Sequence, residues 1–303
     1  MARTNAVPAR LAESLNIAAG IMNDPAPLQV PGALRLGIDL GTSDVVSMAL
    51  DAEDRPVAVC LEWADVARDG VVLNFYGAVD IIRQQLAFLR AKLGVDFSAA
   101  TTSYPPGTDP RISIHVLEAA GLELAGIIDE PSAVAGLLAL DRAAVVDIGG
   151  GTTGVAVLRD GKVVYSGDEP TGGHHATLTI AGSNGSSLEE AEALKIASGK
   201  RVWPIVRPVF EKMADIVRQH IRGHDIETLY LSGGSCALPG VRELFQEEFP
   251  EHSVVLPDHP IFLTPLAIAA YRRQDAEKQK PRRPAGSGSG KAGKQPLHCA
   301  GRN

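Results

Sequence analysis

The sequence predicts an α/β protein built as two related half-molecules that face each other across a cleft. Three observations carry that expectation. Strand-like apolar runs alternate with helix-periodic segments along most of the chain. A strand–Asp-x-Gly–strand pattern occurs twice, as Asp39-Leu-Gly41-Thr42 and as Asp147-Ile-Gly149-Gly150-Gly151-Thr152, with the two aspartates 108 residues apart. The composition, 45% apolar and 21% charged over 303 residues, is that of a globular chain long enough for two domains.

The elements follow in order. Residues 1–33 read as an N-terminal extension and linker. Leu11, Leu15, Ala18 and Met22 recur at helical spacing, which suits either a short amphipathic docking helix or a loosely ordered leader. Asp24-Pro-Ala-Pro and Val30-Pro-Gly then break any helix. Leu34–Leu40, Ser43–Leu50 and Pro56–Trp63 read as strands. A helix over Gly77–Lys92 places Val79, Ile82, Leu86 and Leu89 on one face. Ala99–Tyr104 reads as a strand, and Arg111–Ala120 as a helix ended by Gly121. The opening then recurs. Ala143–Ile148, Thr152–Leu158 and Lys162–Ser166 are strands, with Asp160-Gly161 as a hairpin turn. Helices are expected over Ser187–Ser198, Pro204–Arg222 and Pro239–Phe249, with a strand Thr228–Ser232 running into Gly233-Gly234-Ser235. A last helix spans Thr264–Tyr271, with Thr264 as N-cap and Pro265 in its first turn. Residues 273–303 read as a basic, disordered tail.

Charge and cysteine usage exclude several functions. The net charge is −7, yet from Arg272 onward nine Lys/Arg stand against two Asp/Glu. The body is therefore strongly acidic, which argues against nucleic acid and acidic membrane as partners. Aromatics are only 5%, too few for a base-stacking platform along a single strand. Cys60, Cys236 and Cys299 are far apart and form no CxxC pair, so neither a disulfide framework nor a zinc site is expected, and a reducing cytosol fits. No apolar run reaches about 18 residues, and the N-terminus lacks a basic-then-apolar signal pattern.

Two opposed Asp-x-Gly turns suit a polyphosphate. Glycines let backbone N–H groups approach it, and successive N–H groups form anion nests. Thr42, Thr152 and Thr153 add hydroxyl donors. A polyphosphate gripped from both sides needs a cation. Mg²⁺ prefers one or two carboxylates plus water and phosphate oxygens, and Asp39 and Asp147 can supply them. The turn Gly233-Gly234-Ser235, between a strand and a helix, can pass under a phosphate or ribose. His174-His175 lacks a third metal ligand, and Cys236, Trp63 and Trp203 read as packing residues.

The order of these motifs resembles the actin, sugar-kinase and heat-shock-chaperone (DnaK) superfamily. Leu36–Leu50 is similar to its first phosphate motif, Ala144–Leu158 to its second and Leu229–Phe249 to its adenosine motif. Ile127–Leu140 and Thr264–Tyr271 resemble its two connecting helices, and Ala133, Ala135, Gly136, Ala267, Ala269 and Ala270 would let them cross closely as a hinge. Within that superfamily, Trp63–Gly70, Tyr104–Ser113, Asp147–Gly154, Glu169–His175 and Leu188–Lys195 resemble the EutJ family of ethanolamine-utilisation proteins.

The resemblance implies an actin-like (ribonuclease H-like) fold of two α/β domains around a nucleotide cleft, with residues 34–140 plus 258–272 as domain I and 141–257 as domain II. It implies ATP or ADP and Mg²⁺ as cofactors. Asp39 and Asp147 match the Mg²⁺- and water-organising carboxylates, while Gly41, Thr42, Ser43 and Gly149, Gly150, Gly151, Thr152 and Thr153 match the phosphate contacts. Gly233, Gly234 and Ser235 match the adenosine loop, and Glu192 and Lys195 the ribose and adenine contacts. Glu130 stands where hydrolytic members orient the attacking water, or simply starts a helix.

The EutJ resemblance further implies a chaperone-like, nucleotide-dependent binding switch in the bacterial cytoplasm. Its partners would be ethanolamine-pathway enzymes or microcompartment shell proteins. The core is short for the superfamily, so reduced outer subdomains are expected. The 32 residues after Tyr271 leave no room for a DnaK-style peptide clamp, and no lysine matches the one DnaK places near the γ-phosphate. Slow hydrolysis at best follows. A small-molecule kinase and a filament-forming bacterial actin remain as alternatives on the same scaffold. Nothing in the sequence sets the oligomeric state.

Overall fold

The computed structural model describes residues 7–64, 67–68, 71–72 and 74–272. The expected basic tail, Cys299 and parts of the Trp63–Gly70 segment lie outside the described residues. The elements are α1 (Ala9–Gly20), β1 (Arg35–Leu40), β2 (Asp44–Leu50), β3 (Pro56–Trp63), β4 (Ala67–Arg68), β5 (Val71–Val72), α2 (Phe75–Leu93), β6 (Ala99–Tyr104), α3 (Arg111–Ala119), β7 (Glu123–Asp129) and α4 (Glu130–Leu138). The second run is β8 (Ala143–Ile148), β9 (Thr153–Arg159), β10 (Lys162–Glu169), α5 (Gly173–Asn184), α6 (Leu188–Ala197), α7 (Gly199–Ile221), β11 (Thr228–Ser232), α8 (Val241–Glu248), β12 (Ser253–Val255) and α9 (Leu263–Ala270).

The duplication read in the sequence recurs in the strand order. One five-stranded sheet runs β3-β2-β1-β6-β7 and the other β10-β9-β8-β11-β12. In each, the first three strands pair antiparallel and the last two join parallel. The central strands β1 and β8 have almost every residue buried, as expected for strands covered on both faces.

Three apolar clusters hold the halves. Ile38 and Ala49 pack with Val79, Ile82 and Leu89 of α2 outside the first sheet. Val146 and Val155 pack with Val206, Phe210 and Met213 of α7 outside the second. Between the sheets lie α4 and α9, which contact each other and share one cluster with Met48, Leu50, Val145 and Leu158. Ala133, Ala135, Ala267 and Ala269 are buried in that crossing, whereas Gly136 is exposed and Ala270 half-buried. The close crossing therefore uses four of the six expected small residues.

The structure corrects several expectations. The leader is a docked helix: Leu11, Leu15 and Ala18 of α1 are buried in the central cluster, and α1 lies against β3. The following segment is strapped to the first half. Asn23 exchanges hydrogen bonds with Leu61, and Lys92 pairs with Asp24 at 2.8 Å and donates to the carbonyls of Asp24 and Ala26. Ile127–Asp129, expected as helix, closes β7, and α4 begins at Glu130 because the Asp129 carboxylate caps it through the Ser132 N–H at 3.1 Å. Helix α7 starts at Gly199 and continues through Pro204 and Pro208; the buried stripe Val202, Val206, Phe210, Met213 and Val217 outweighs the two missing backbone bonds. Strands β7 and β12 and helix α5 were not expected.

Candidate functional site

Asp39 is the second-last residue of β1 and Asp147 the second-last of β8. Because these are the central strands of matching sheets, both aspartates reach the same cleft from opposite halves. They line one cavity of about 60 Å³ together with Asp44 and Glu130. The glycine turns after each strand line it too, Gly41–Thr42 from the first half, Gly149–Thr152 and Gly233–Gly234 from the second.

The cleft concentrates carboxylates in a dry place. Burial first, and then the charges of Asp44 and Asp147, push Asp39 up to about 8, against the Ser103 hydroxyl that donates to it at 3.1 Å. Asp147 rises only to about 6: burial raises it, but the Thr264 and Ser232 hydroxyls donate to its carboxylate. Asp44 is pushed to about 6 by burial and by Asp147. Glu130 lies well above the usual carboxylate range, through burial and then Asp39, Asp147, Asp168 and Asp129. Asp168 rises to about 7 by burial, and its Oδ1 has no hydrogen-bond partner. Such a cluster is relieved by protons or by a cation.

The two turns touch. A Cβ on Gly150 would stand 1.9 Å from Ser43 Oγ, and one on Gly151 2.6 Å from Thr42 Oγ1. Gly233 has φ +89°, and a Cβ there would meet Asp147 Oδ1 at 2.4 Å. The second turn is buttressed from behind: the Gly173 and His174 N–H groups at the start of α5 donate to Gly149 and Gly150 carbonyls at 2.9 and 2.7 Å, and the Ser235 hydroxyl donates to Gly149 at 2.7 Å. The free space between the turns is small beside the ~300 Å³ at which ligand pockets begin.

A second cavity of about 210 Å³ adjoins the first. Gly234 and Ile261 line both. Its walls include Lys195, Ser235 and a run of apolar side chains. Lys195 Nζ pairs with Glu192 at 2.7 Å and donates to Thr177 Oγ1 at 2.8 Å.

Most of the sequence-predicted residues therefore converge, with exceptions. Thr153 is fully buried in β9 and donates to the Thr171 carbonyl at 2.6 Å, so it serves the scaffold. Glu192 is held by Thr177 and Lys195 outside both cavities. Ser43 backs Gly150 rather than facing the cavity. Glu130 is not the cap of α4, because Asp129 is, and this frees it to face the cleft. Thr264 is not an N-cap but a partner of Asp147. Trp203 packs on Phe210 as expected, but Trp63 is 58% exposed and lines the second cavity. His174 and His175 sit in the first turn of α5, and among the described residues no group of three His, Cys, Asp or Glu is arranged to hold a metal by itself. No described helix is long and apolar enough to cross a membrane.

Sequence reasoning missed Asp44, Asp168 and Ile261. Asp44 had a signal: it heads β2, five residues after Asp39. Asp168 had a fainter one, since it stands opposite Gly154 in the β9–β10 register, where a missing side chain leaves it room.

The same scaffold occurs in known proteins. The family model of cell division protein FtsA matches residues 144–268. The chain is 58% identical over 268 residues to the ethanolamine utilization protein EutJ of Escherichia coli (strain K12), covering 88% of this chain and 96% of that one. The crystal structure of the ethanolamine utilization protein EutJ from Carboxydothermus hydrogenoformans superposes with a TM-score of 0.81 at 40% identity, over 86% of this chain and 98% of that one. MreB5 of Spiroplasma citri bound to ADP superposes with a TM-score of 0.64 at 16% identity, over 81% of this chain and 97% of that chain. The fold is that of the actin-like ATPases.

Proposed function

The chain belongs to the EutJ family of ethanolamine utilization proteins, and from that premise we propose that it is an ATP- and Mg²⁺-binding, chaperone-like switch. Its clients would be enzymes of the ethanolamine pathway or microcompartment shell proteins, met in the bacterial cytoplasm. The observation that carries the reading is the convergence of Asp39, Asp147 and three glycine turns, from both halves, on one cavity that adjoins an apolar one.

The residues suit the nucleotide and the metal. Once the two turns part, glycines without Cβ atoms would let backbone N–H groups approach phosphate oxygens. Asp39 and Asp147 would hold Mg²⁺ through water and phosphate, which the cation favours over an all-protein cage. Bound Mg²⁺ neutralises phosphate charge and draws the raised carboxylates to their ionised form. Burial and the neighbouring carboxylates hold Glu130 well above the usual carboxylate range, which weakens it as a base toward water. Hydrolysis is therefore slow or absent until the cleft is loaded.

The space between the turns is narrow for a triphosphate, so in this reading the halves part to admit the ligand and reclose on it. The α4–α9 crossing is the contact about which they turn. A ligand that binds the reclosed form better than the open one shifts that equilibrium by its difference in affinity and no more. Client surfaces would read the shift.

Equilibrium titration of ATP and ADP, with and without Mg²⁺, tests this in the wild type and in an Asp39→Ala/Asp147→Ala variant. Expected are Mg²⁺-dependent binding in the wild type and its loss, by ~100-fold or more, in the variant. Absence of wild-type binding at millimolar nucleotide sinks the reading. A pull-down of pathway enzymes and shell proteins under ATP and under ADP then tests the client part.

A further inference from the structure

Trp63 is out of place for a packing residue. It is 58% exposed, and Ile196 across from it in the second half is 62% exposed. Large apolar side chains left in water together are informative in a way that a single one is not. Both line the 210 Å³ cavity, whose other walls include Phe210, Leu238, Pro239 and Ile261. Of these, Trp63 and Ile261 belong to the first domain, Ile261 through its C-terminal return, and Trp63 is the one that comes from the first sheet.

Its backbone is tied to the first glycine turn. Trp63 pairs with Asp44 at the end of β3, and the next N–H, of Ala64, donates to the Ser43 carbonyl at 3.0 Å. Gly234 and Ile261 join this cavity to the carboxylate-lined one. A ligand with its phosphates between the turns thus carries its base toward the indole. The cavity is small for a whole ligand but suits a planar ring, and apolar walls that include an exposed indole favour stacking.

We propose that Trp63 stacks on the purine base of the bound nucleotide from the opposite half of the molecule, so that base recognition is completed only when the cleft is shut. This rests on the nucleotide reading above. Most of the base cavity belongs to the second half, and the indole arrives with the first. The stacking contact therefore exists in the closed state and is absent in the open one. That is the differential interaction a switch requires. It also separates two roles: the turns bind any triphosphate, while Trp63 makes closure respond to the base.

Calorimetric titration of ATP and of inorganic tripolyphosphate, both with Mg²⁺, into wild type, Trp63→Ala and Trp63→Phe tests the proposal. Intrinsic fluorescence is read in parallel, since the chain has two tryptophans. Expected is a loss of about tenfold in ATP affinity in Trp63→Ala, with most of it restored in Trp63→Phe. Tripolyphosphate affinity stays the same across the three proteins. ATP changes the fluorescence of the wild type but not of Trp63→Phe, and tripolyphosphate changes neither. The exposed position makes misfolding of either variant readily checked by thermal melting. If ATP binds Trp63→Ala as tightly as wild type, the stacking role is overturned while the nucleotide reading stands. An equal loss for ATP and tripolyphosphate overturns it as well, placing the effect in the phosphate turn. If the wild type binds neither ligand, the nucleotide reading fails and this inference with it.

Discussion

The two halves carry the same strand order and the same aspartate at the same strand position, yet the two aspartates live in different electrostatic surroundings. Asp147 receives hydroxyls from Ser232 and Thr264. Asp39 receives one, from Ser103, and faces Asp44 and Asp147. The first rises to about 6 and the second to about 8. A duplicated motif fixes where a carboxyl sits. Its neighbours from other parts of the chain fix how readily it ionises. The second half is thus the prepared anion, and the first the proton-holding partner that a cation would discharge.

The halves also differ at their edges. The edge strand β3 is covered by α1 and bridged by Met22, whereas its counterpart β10 alternates exposed and half-buried residues. The largest expected effect exploits this. Leu15→Ala empties a fully buried position of α1 and is expected to cost about 3 kcal/mol in urea unfolding. Hydrogen exchange should quicken in β3 and stay unchanged in β10. Equal loss of protection in both would erase the edge asymmetry.

The next effect concerns the aspartates. A carboxyl whose folded value is raised binds a proton more tightly folded than unfolded. It contributes stability that is present at low pH and lost as pH rises, here between about 4 and 8 for Asp39 and between about 4 and 6 for Asp147. Without nucleotide, Asp39→Asn should therefore raise Tm at pH 8 by ~5 °C and by much less at pH 5. Asp147→Asn should gain less, because it also gives up the charged acceptor of two hydroxyls. Melting curves between pH 5 and 8 check this, and matching shifts in both variants would contradict the asymmetry.

The smallest effect sharpens its cause. Thr264→Val removes a donor to Asp147 and leaves the shape almost unchanged. It is expected to cost about 1–2 kcal/mol at pH 8 and less below pH 5. The pH dependence of the variant should move toward that expected from an Asp39-like carboxyl. An unchanged profile would show that the hydroxyl does not hold Asp147 down.

Local sequence alone determined much of this protein. Apolar runs marked β1, β2, β3, β8 and β11 nearly to the residue, because a strand buried on both faces needs a mostly continuous apolar run, while β6, half of it Thr and Ser, was marked by the Pro105-Pro106-Gly107 loop that ends it. The repeated Asp-x-Gly turns announced the duplication, because a close turn after a central strand requires glycine whatever surrounds it. The helix expected over Ser187–Ser198 formed as α6, which Ser187 and Glu190 close with a capping box.

Only the tertiary structure decided the rest. Helix α7 runs through two prolines because a long buried stripe pays what propensity would refuse. Glu130 faces the cleft because Asp129 took the cap. Asp44 and Thr264 joined the site from separate elements, Asp168 stands beside Thr152 behind it, and Trp63 left the core to line the second half's cavity. Pairing and burial of side chains distant in sequence depend on where the two sheets meet, and a local pattern holds no record of that distance.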